Sequence, residues 1–451
     1  MKNIVAIIVI LFVTSHLMVA QSQYRVIGYY TSWGQSTLPV SSVKFNSLTH
    51  INYAFAEPNP NGSISGTADA ALINAAHLAG CKILISLGGA NSGSAFTAVT
   101  ADSIKRKTFI NNLAAYLTKN NYDGADIDWE GVGSSADSIN IHVFIKQIHE
   151  SFQQTNPSFL LTMAIGSSSY EGQWLDYPTL SEYVDWFNVM TYDMDQGWSG
   201  NSGYNAALYY DYIGQDYSVD QSIFYLTGGH SPLLQKSKLV LGVPFYGKYF
   251  YGSPRFDTTF TSRTTPSYSG INTLIQSGGW TRYWDSTAKV PYLKNGSSVI
   301  TYDDSLSIAF KCQYAKTKGL AGIMIWELSQ DVIGKSQPLL DAIAKEMLTP
   351  TNIVEQPLES RITNFILYDN YPNPFNPSTT IKFSLPRATQ VSIRVYDVLG
   401  REIATLMDEF KFSGIGSVQF DASRYRLSSG VYFYRMTAGS FTETKRLLLV
   451  K

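Results

Sequence analysis

A chain of 451 residues with 44% hydrophobic and only 15% charged side chains has the length for two or three domains and the apolar content for a large core, which excludes a disordered chain. A formal net charge of −1 argues against nucleic acid or another polyanion as the main partner. The charge is uneven, with 12 Lys+Arg against 7 Asp+Glu in residues 361–451, so the longer N-terminal part sits near −6. Aromatic residues reach 14%, with 30 Tyr and 8 Trp; their flat faces and polar tips suit sugar rings, or simply a packed core.

In chain order, Lys2 precedes an apolar run over residues 4–13, and small residues follow at Ala20 and Ser22. A charged start, a short apolar centre and a small-residue cleavage site predict a signal peptide over residues 1–20. Thr14, Ser15 and His16 break the run, which is too short and too polar to span a membrane. An exported, soluble and monomeric protein is expected. Cys81 and Cys312 stand far apart, outside any metal-binding spacing, and are expected as buried free thiols. No metal and no cofactor is expected.

From residue 24 to 348 short apolar runs alternate with helical patterns. The runs are 26–30, 50–55, 83–87, 122–128, 160–165, 186–192, 239–244 and 322–326. Several are apolar almost throughout, as parallel strands buried on both faces are. Eight strand–helix units predict an α/β fold, a (β/α)8 TIM barrel. A doubly wound open sheet competes, but no Gly-rich dinucleotide fingerprint follows the first run. Residues 191–237 read as a long loop region. Residues 249–298, between the seventh and eighth runs, are long enough for a small α+β insertion on the catalytic face. The pattern stops at a linker over 349–360. Beyond it, residues 361–451 alternate in short runs broken at Pro386, Gly400, Gly414 and Gly439, which predicts a C-terminal β-sandwich.

The segment Asp123-Gly-Ala-Asp126-Ile-Asp128-Trp-Glu130 carries the chemistry. On a strand, residues i, i+2 and i+4 share a face, so Asp126, Asp128 and Glu130 point one way and Ile127 and Trp129 the other. Three carboxylates in one desolvated row raise one another's pKa and must share protons. Glu130, nearest the C-terminal rim, is placed to stay protonated and act as an acid. A metal site would want further ligands, and no His stands beside the row. Asp123 faces differently and is expected to be structural.

This segment resembles the Asp-x-x-Asp-x-Asp-x-Glu signature of family 18 glycoside hydrolases. Other motifs agree in order: Ser86-Leu-Gly88-Gly89, Met190-Thr-Tyr192-Asp193, Gly242-Val-Pro-Phe-Tyr246-Gly and Gly322-Ile-Met-Ile-Trp326-Glu. The resemblance covers nearly all of residues 24–348. It implies Glu130 as proton donor and the substrate's own 2-acetamido oxygen as nucleophile, through an oxazolinium ion and with retention. It further implies that Asp128 orients the acetamido group, that Asp126 holds Asp128, and that Tyr192 hydrogen-bonds the acetamido oxygen. Asp193, Met190 and Tyr246 join the substrate-binding set, with Trp326 as the floor beneath the distorted sugar. Tyr30 and Phe55, near the ends of the first two strands, line the pocket or merely fill the barrel. Ser86 is expected behind the row. Members with the insertion often carry Arg where this chain has Lys248, and Lys lacks the planar fork. The implied substrate is chitin or chito-oligosaccharides. An endo-β-N-acetylglucosaminidase shares the motif, and a chitin-binding lectin would usually have lost the acid that Glu130 supplies.

In the tail, Asn370-Tyr-Pro-Asn-Pro-Phe-Asn-Pro-Ser-Thr-Thr, Val395-Tyr-Asp-Val-Leu-Gly400-Arg401 and Ser429-Gly430-Val-Tyr-Phe-Tyr434 resemble the C-terminal sorting domain of type IX secretion. The resemblance implies a periplasmic route, recognition by that export machinery, and an extracellular or cell-surface destination. A carbohydrate-binding sandwich is the competing reading of residues 361–451.

Overall fold

The eight apolar runs become eight parallel strands: β1 Arg25–Thr31, β2 His50–Pro58, β3 Lys82–Gly88, β4 Gly124–Asp128, β5 Leu160–Ile165, β6 Trp186–Val189, β7 Leu239–Pro244 and β8 Gly322–Trp326. Neighbours pair in chain order, and β1 pairs with both β2 (Ile27↔His50) and β8 (Arg25↔Gly322), so the sheet closes into a barrel. The computed structural model describes residues 24–349 and 365–450, except 196, 198–199, 210–217, 229–233, 387–388, 412–413 and 426. The expected signal peptide and all of the expected linker but Thr349 lie outside the described residues.

Each strand feeds two cores because its alternate residues face opposite ways. Val26, Tyr30, Ile51, Ile83, Ile127 and Phe187 point out, under the helices. Ile27, Tyr29, Ala54, Trp186, Val240 and Met324 point in and fill the lumen. The surrounding helices start where the sequence sets an Asp or Ser before an apolar period. Asp69, Asp102, Ser134 and Asp304 each accept a first-turn backbone N–H of the helix they precede, a cap that contributes about 1 kcal/mol. At the opposite end of the barrel from the carboxylate row's rim, Asp123 accepts the backbone N–H of Ile83 and pairs with His77 at 2.8 Å, a structural role.

Two stretches between strands depart from the simple repeat. The loop region expected at 191–237 contains a helix, Val219–Leu226, capped by Ser218 and anchored by the buried Val219, Ile223 and Leu226. Between β7 and β8 a five-stranded antiparallel sheet forms in the order Ser262–Thr264, Lys248–Tyr251, Ser298–Thr301, Val290–Lys294, Thr281–Asp285, with the helix Tyr268–Gln276 beside it. The insertion is thus α+β, and its strands run to Lys248 and Thr301. Cys81 and Cys312 are both free and buried. Among the described residues, no helix is long and apolar enough to cross a membrane.

The chain divides into two compact units at residues 350/351. In the second, antiparallel strands form two sheets, one of Ile366–Leu367, Ser378–Leu385 and Gly414–Asp421, the other of Glu402–Lys411, Thr389–Tyr396, Gly430–Ala438 and Phe441–Leu449. One apolar cluster including Phe383, Ile393, Phe420, Tyr434 and Leu447 serves both.

Candidate active site

β4 carries Asp126 and Asp128 into the lumen and delivers Glu130 just past its C-terminal end. Ile127 and Trp129 go the other way, where the Trp129 ring stacks on Phe96 with centroids 5.1 Å apart. The strand can sit this deep because its neighbour ends in glycine. A Cβ on Gly88 would lie 2.1 Å from the Asp128 carbonyl oxygen, and one on Gly89 would lie 2.5 Å from the Phe55 ring. Both glycines have positive φ, a backbone that a side chain would strain.

The three carboxylates have different surroundings. Asp126 is fully buried and accepts four hydrogen bonds: from Thr162 (2.5 Å) and Asn188 (3.0 Å) on Oδ1, and from Tyr29 (2.7 Å) and Ser86 (2.9 Å) on Oδ2. Burial raises its pKa, and all four bonds oppose that rise by favouring the charged form. Asp128 is almost as buried, and its Oδ1 has no hydrogen-bond partner among the described residues. Burial, then the charges of Glu130 and Asp126, push it well above the ordinary carboxylate range. Glu130 is partly open to solvent. Burial first, then the charges of Glu171 and Asp193, raise its pKa too. The row therefore gives up protons reluctantly. Asp126 is the member best equipped to be ionised, and Glu130 is the carboxyl nearest the mouth, its pKa raised.

Aromatic side chains from three strands and from the segments past β6 and β7 surround this row. Trp326, at the end of β8, meets Tyr29 edge-on at 5.3 Å and stacks on Phe55 at 5.8 Å. Met190, Tyr192, Phe55 and Trp326 pack together against the lumen cluster. The Tyr192 phenol is pushed well up, by burial first and then by the charge of Asp128. Beyond β6, Asp193 accepts the Tyr246 hydroxyl at 2.7 Å and pairs with the buried Lys248 at 2.6 Å. Burial lowers the Lys248 pKa and the charge of Asp193 opposes the drop. The lysine flagged in the sequence thus spends its contact on Asp193.

Of the residues expected at the site, the structure gathers Glu130, Asp128, Asp126, Tyr192, Asp193, Met190, Trp326, Phe55 and Tyr246 about one end of the barrel. Tyr30 is the exception. It faces outward, fully buried under the helical layer, and its hydroxyl donates to the Leu38 carbonyl at 2.6 Å. The inward residue is its neighbour Tyr29, whose parity along β1 matches Ile27. Sequence reasoning also missed Thr162 and Asn188, which bond Asp126, and Trp33, which stands 61% exposed at the end of β1 with its ring 6.1 Å from Phe55. Thr162 and Asn188 did leave a signal, as polar residues inside otherwise apolar runs. Among the described residues no cluster of His, Cys, Asp and Glu could hold a metal ion.

A closed barrel with a carboxylate row on its fourth strand, ringed by aromatics, is the architecture of a glycoside hydrolase. Residues 25–331 match the family model "Glycosyl hydrolases family 18", and the chain belongs to that family. Residues 369–451 match the model "Secretion system C-terminal sorting domain". Chitinase A1 of Niallia circulans is 31% identical over 399 residues, covering 69% of this chain and 57% of its own length. Chitinase ChiA of Flavobacterium johnsoniae is 27% identical, over 69% of this chain and 27% of its own. The chain spans little more than half the length of the first relatives it matches, 57% and 56%. Among solved structures, the Group IV chitinase of Ostrinia furnacalis in complex with allosamidin has a TM-score of 0.65 at 26% identity, covering 71% of this chain and 98% of that one. A family 18 N-acetylglucosaminidase from Paenibacillus barengoltzii has a TM-score of 0.63 at 28% identity, covering 72% and 99%.

Proposed function

We propose that the protein is an exported chitinase that hydrolyses β-1,4-linked N-acetylglucosamine polymers with retention, by substrate-assisted catalysis. The observation that carries this reading is the split in the carboxylate row: a fully hydrogen-bonded Asp126, an Asp128 oxygen above it with no partner among the described residues, and at the mouth Glu130, whose pKa burial raises. Burial and the charges of Glu130 and Asp126 push the Asp128 carboxyl well up, which makes it a poor nucleophile. The substrate's acetamido oxygen takes that role. It bonds to the anomeric carbon as Glu130 gives its proton to the leaving glycosidic oxygen, and an oxazolinium ion forms. Asp128 accepts the acetamido N–H, and Tyr192 donates to the acetamido oxygen. Water then attacks the anomeric carbon, gives a proton to Glu130 and reopens the ring, so two inversions restore the β configuration. Trp326, with Phe55 stacked against it, supplies the apolar floor for the distorted sugar. The tail, by its sorting-domain match, directs the hydrolase through the type IX machinery to the cell surface or beyond.

The likeness to the Paenibacillus N-acetylglucosaminidase favours one other reading, an endo-β-N-acetylglucosaminidase acting on glycoprotein glycans. Product analysis separates them. Colloidal chitin and chito-oligosaccharides should yield β-anomeric oligosaccharides, seen in early proton spectra, and fully deacetylated chitosan should be inert. Early α-anomer would overturn substrate assistance, and glycan release from a high-mannose glycoprotein without chitin cleavage would overturn the substrate.

A further inference from the structure

At the closed end of the lumen, beneath the carboxylate row, lies a short polar chain that the reaction does not touch. The indole N–H of Trp186 donates to Asn188 Oδ1 at 3.2 Å, and Asn188 Nδ2 donates to Asp126 Oδ1 at 3.0 Å. Trp186 and Asn188 are both buried on β6. An indole N–H can only donate, so the Asn188 amide has one orientation available. Turned over, it would set N–H against N–H and carbonyl oxygen against carboxylate, with no water to relieve either contact. Asn188 is therefore a donor to Asp126 that cannot reverse. The other three partners, Tyr29, Ser86 and Thr162, are hydroxyls, and each could turn to accept.

We propose that Trp186, acting through Asn188, fixes Asp126 as the ionised member of the row and leaves Asp128 as the aspartate that carries the proton in the free enzyme. Both are positioning residues, and the inference rests on reading the row as catalytic. The titratable groups around Asp126 are Tyr29 on β1, Asp128 on β4 and, past the strand ends, Glu130 and Tyr192. None of them can supply a permanent donor. Around Trp186, Arg25 lies 4.6 Å over the ring and His50 meets it at 4.9 Å. Burial first, then the nearby Arg25 and Lys82, push His50 down to about 3, so it stays neutral while the row titrates.

The test is the pH profile of kcat/KM on a chromogenic chitotrioside, whose acid limb reports groups of the free enzyme. Trp186→Phe keeps a ring but frees the amide to turn its carbonyl toward Asp126. The amide can then accept from a protonated Asp126 as well as donate to an ionised one, so the row takes up a proton at higher pH and the acid limb moves up. At the foot of that limb the variant should retain about a third to a tenth of wild-type activity, the worth of one neutral hydrogen bond gained by the protonated form. Plateau kcat and KM should change less. Asn188→Leu, of similar size, should move the limb the same way, and stands in if Trp186→Phe does not fold. Phe187→Leu, on the outward face of the same strand, should lower Tm and leave the limb in place. In the wild type, the Trp186 indole proton resonance should shift through the pH range of the limb. A limb unmoved in both variants, or an indole resonance indifferent to that pH range, overturns the proposal. A wild type without turnover on any chito-oligosaccharide overturns the parent reading and this inference with it.

Discussion

The barrel lumen and the interior of the tail are both buried, and they are built on opposite terms. The lumen holds Asn52, Ser86, Asp126, Asp128, Thr162 and Asn188 out of water, with Asp128 Oδ1 and both polar atoms of Asn52 lacking a partner among the described residues. The tail core includes Phe383, Ile393, Val395, Phe420, Tyr434 and Leu447, and among the described residues its buried polar side chains are Asn370, Thr379 and Ser384. A buried polar atom left unmet costs about 1–3 kcal/mol. Asn370 Oδ1 in the tail is unmet as well, so the difference lies in charge: the lumen buries two carboxylates, Asp126 and Asp128, and the described residues of the tail bury none.

The sharpest way to break this contrast is Glu130→Gln. The amide keeps the size but has no proton to give, so activity on chito-oligosaccharides should fall by about 10²–10⁴-fold or more, with Tm little changed. Retention of more than a tenth of the wild-type rate would remove Glu130 from its role. In the tail the expected effect is on stability. Phe383→Ala should destabilise residues 365–450 by about 3–5 kcal/mol, read as an earlier transition on heating, while turnover in solution holds. A drop in turnover would mean that the tail core supports the site. Smallest of all should be removal of the tail after residue 350, since contacts divide the chain there. Turnover on soluble oligosaccharides should change by less than about twofold, and in the native host the shortened protein should stay in the periplasm. Lost chitin binding with normal export would make the tail a carbohydrate-binding module.

What the sequence made legible follows from where its patterns differ. Eight strands could be placed because apolar runs between capped helices have few other solutions. The carboxylate row was visible because charge inside such a run has no structural excuse. Tyr29 and Tyr30 could not be told apart, since β1 is apolar on both faces and alternation leaves no mark there. The helix Val219–Leu226 was hidden by the Gly- and Tyr-rich residues around it, although Ser218 and the apolar spacing after it were readable. Trp33 stood two residues beyond the strand, where period-two reasoning stops. The orientation of the Asn188 amide depends on an indole two residues away in sequence, and only coordinates show the two side chains meeting.

The insertion offers a last consequence. Its first and last strands are partners, Lys248 opposite Thr301, so the chain leaves the barrel and returns to it side by side. Residues opposed across such a ladder lie about 5 Å apart, a gap that a two-residue turn closes. The pairing of β7 with β8 therefore does not depend on the length of chain between Tyr251 and Ser298. What ties the insertion in place is side-chain contact with the segment before β7, such as the Tyr204 hydroxyl on Asp285 at 2.7 Å and Lys248 on Asp193 at 2.6 Å. Its two ends thus carry the fold and its flank carries the link to the site.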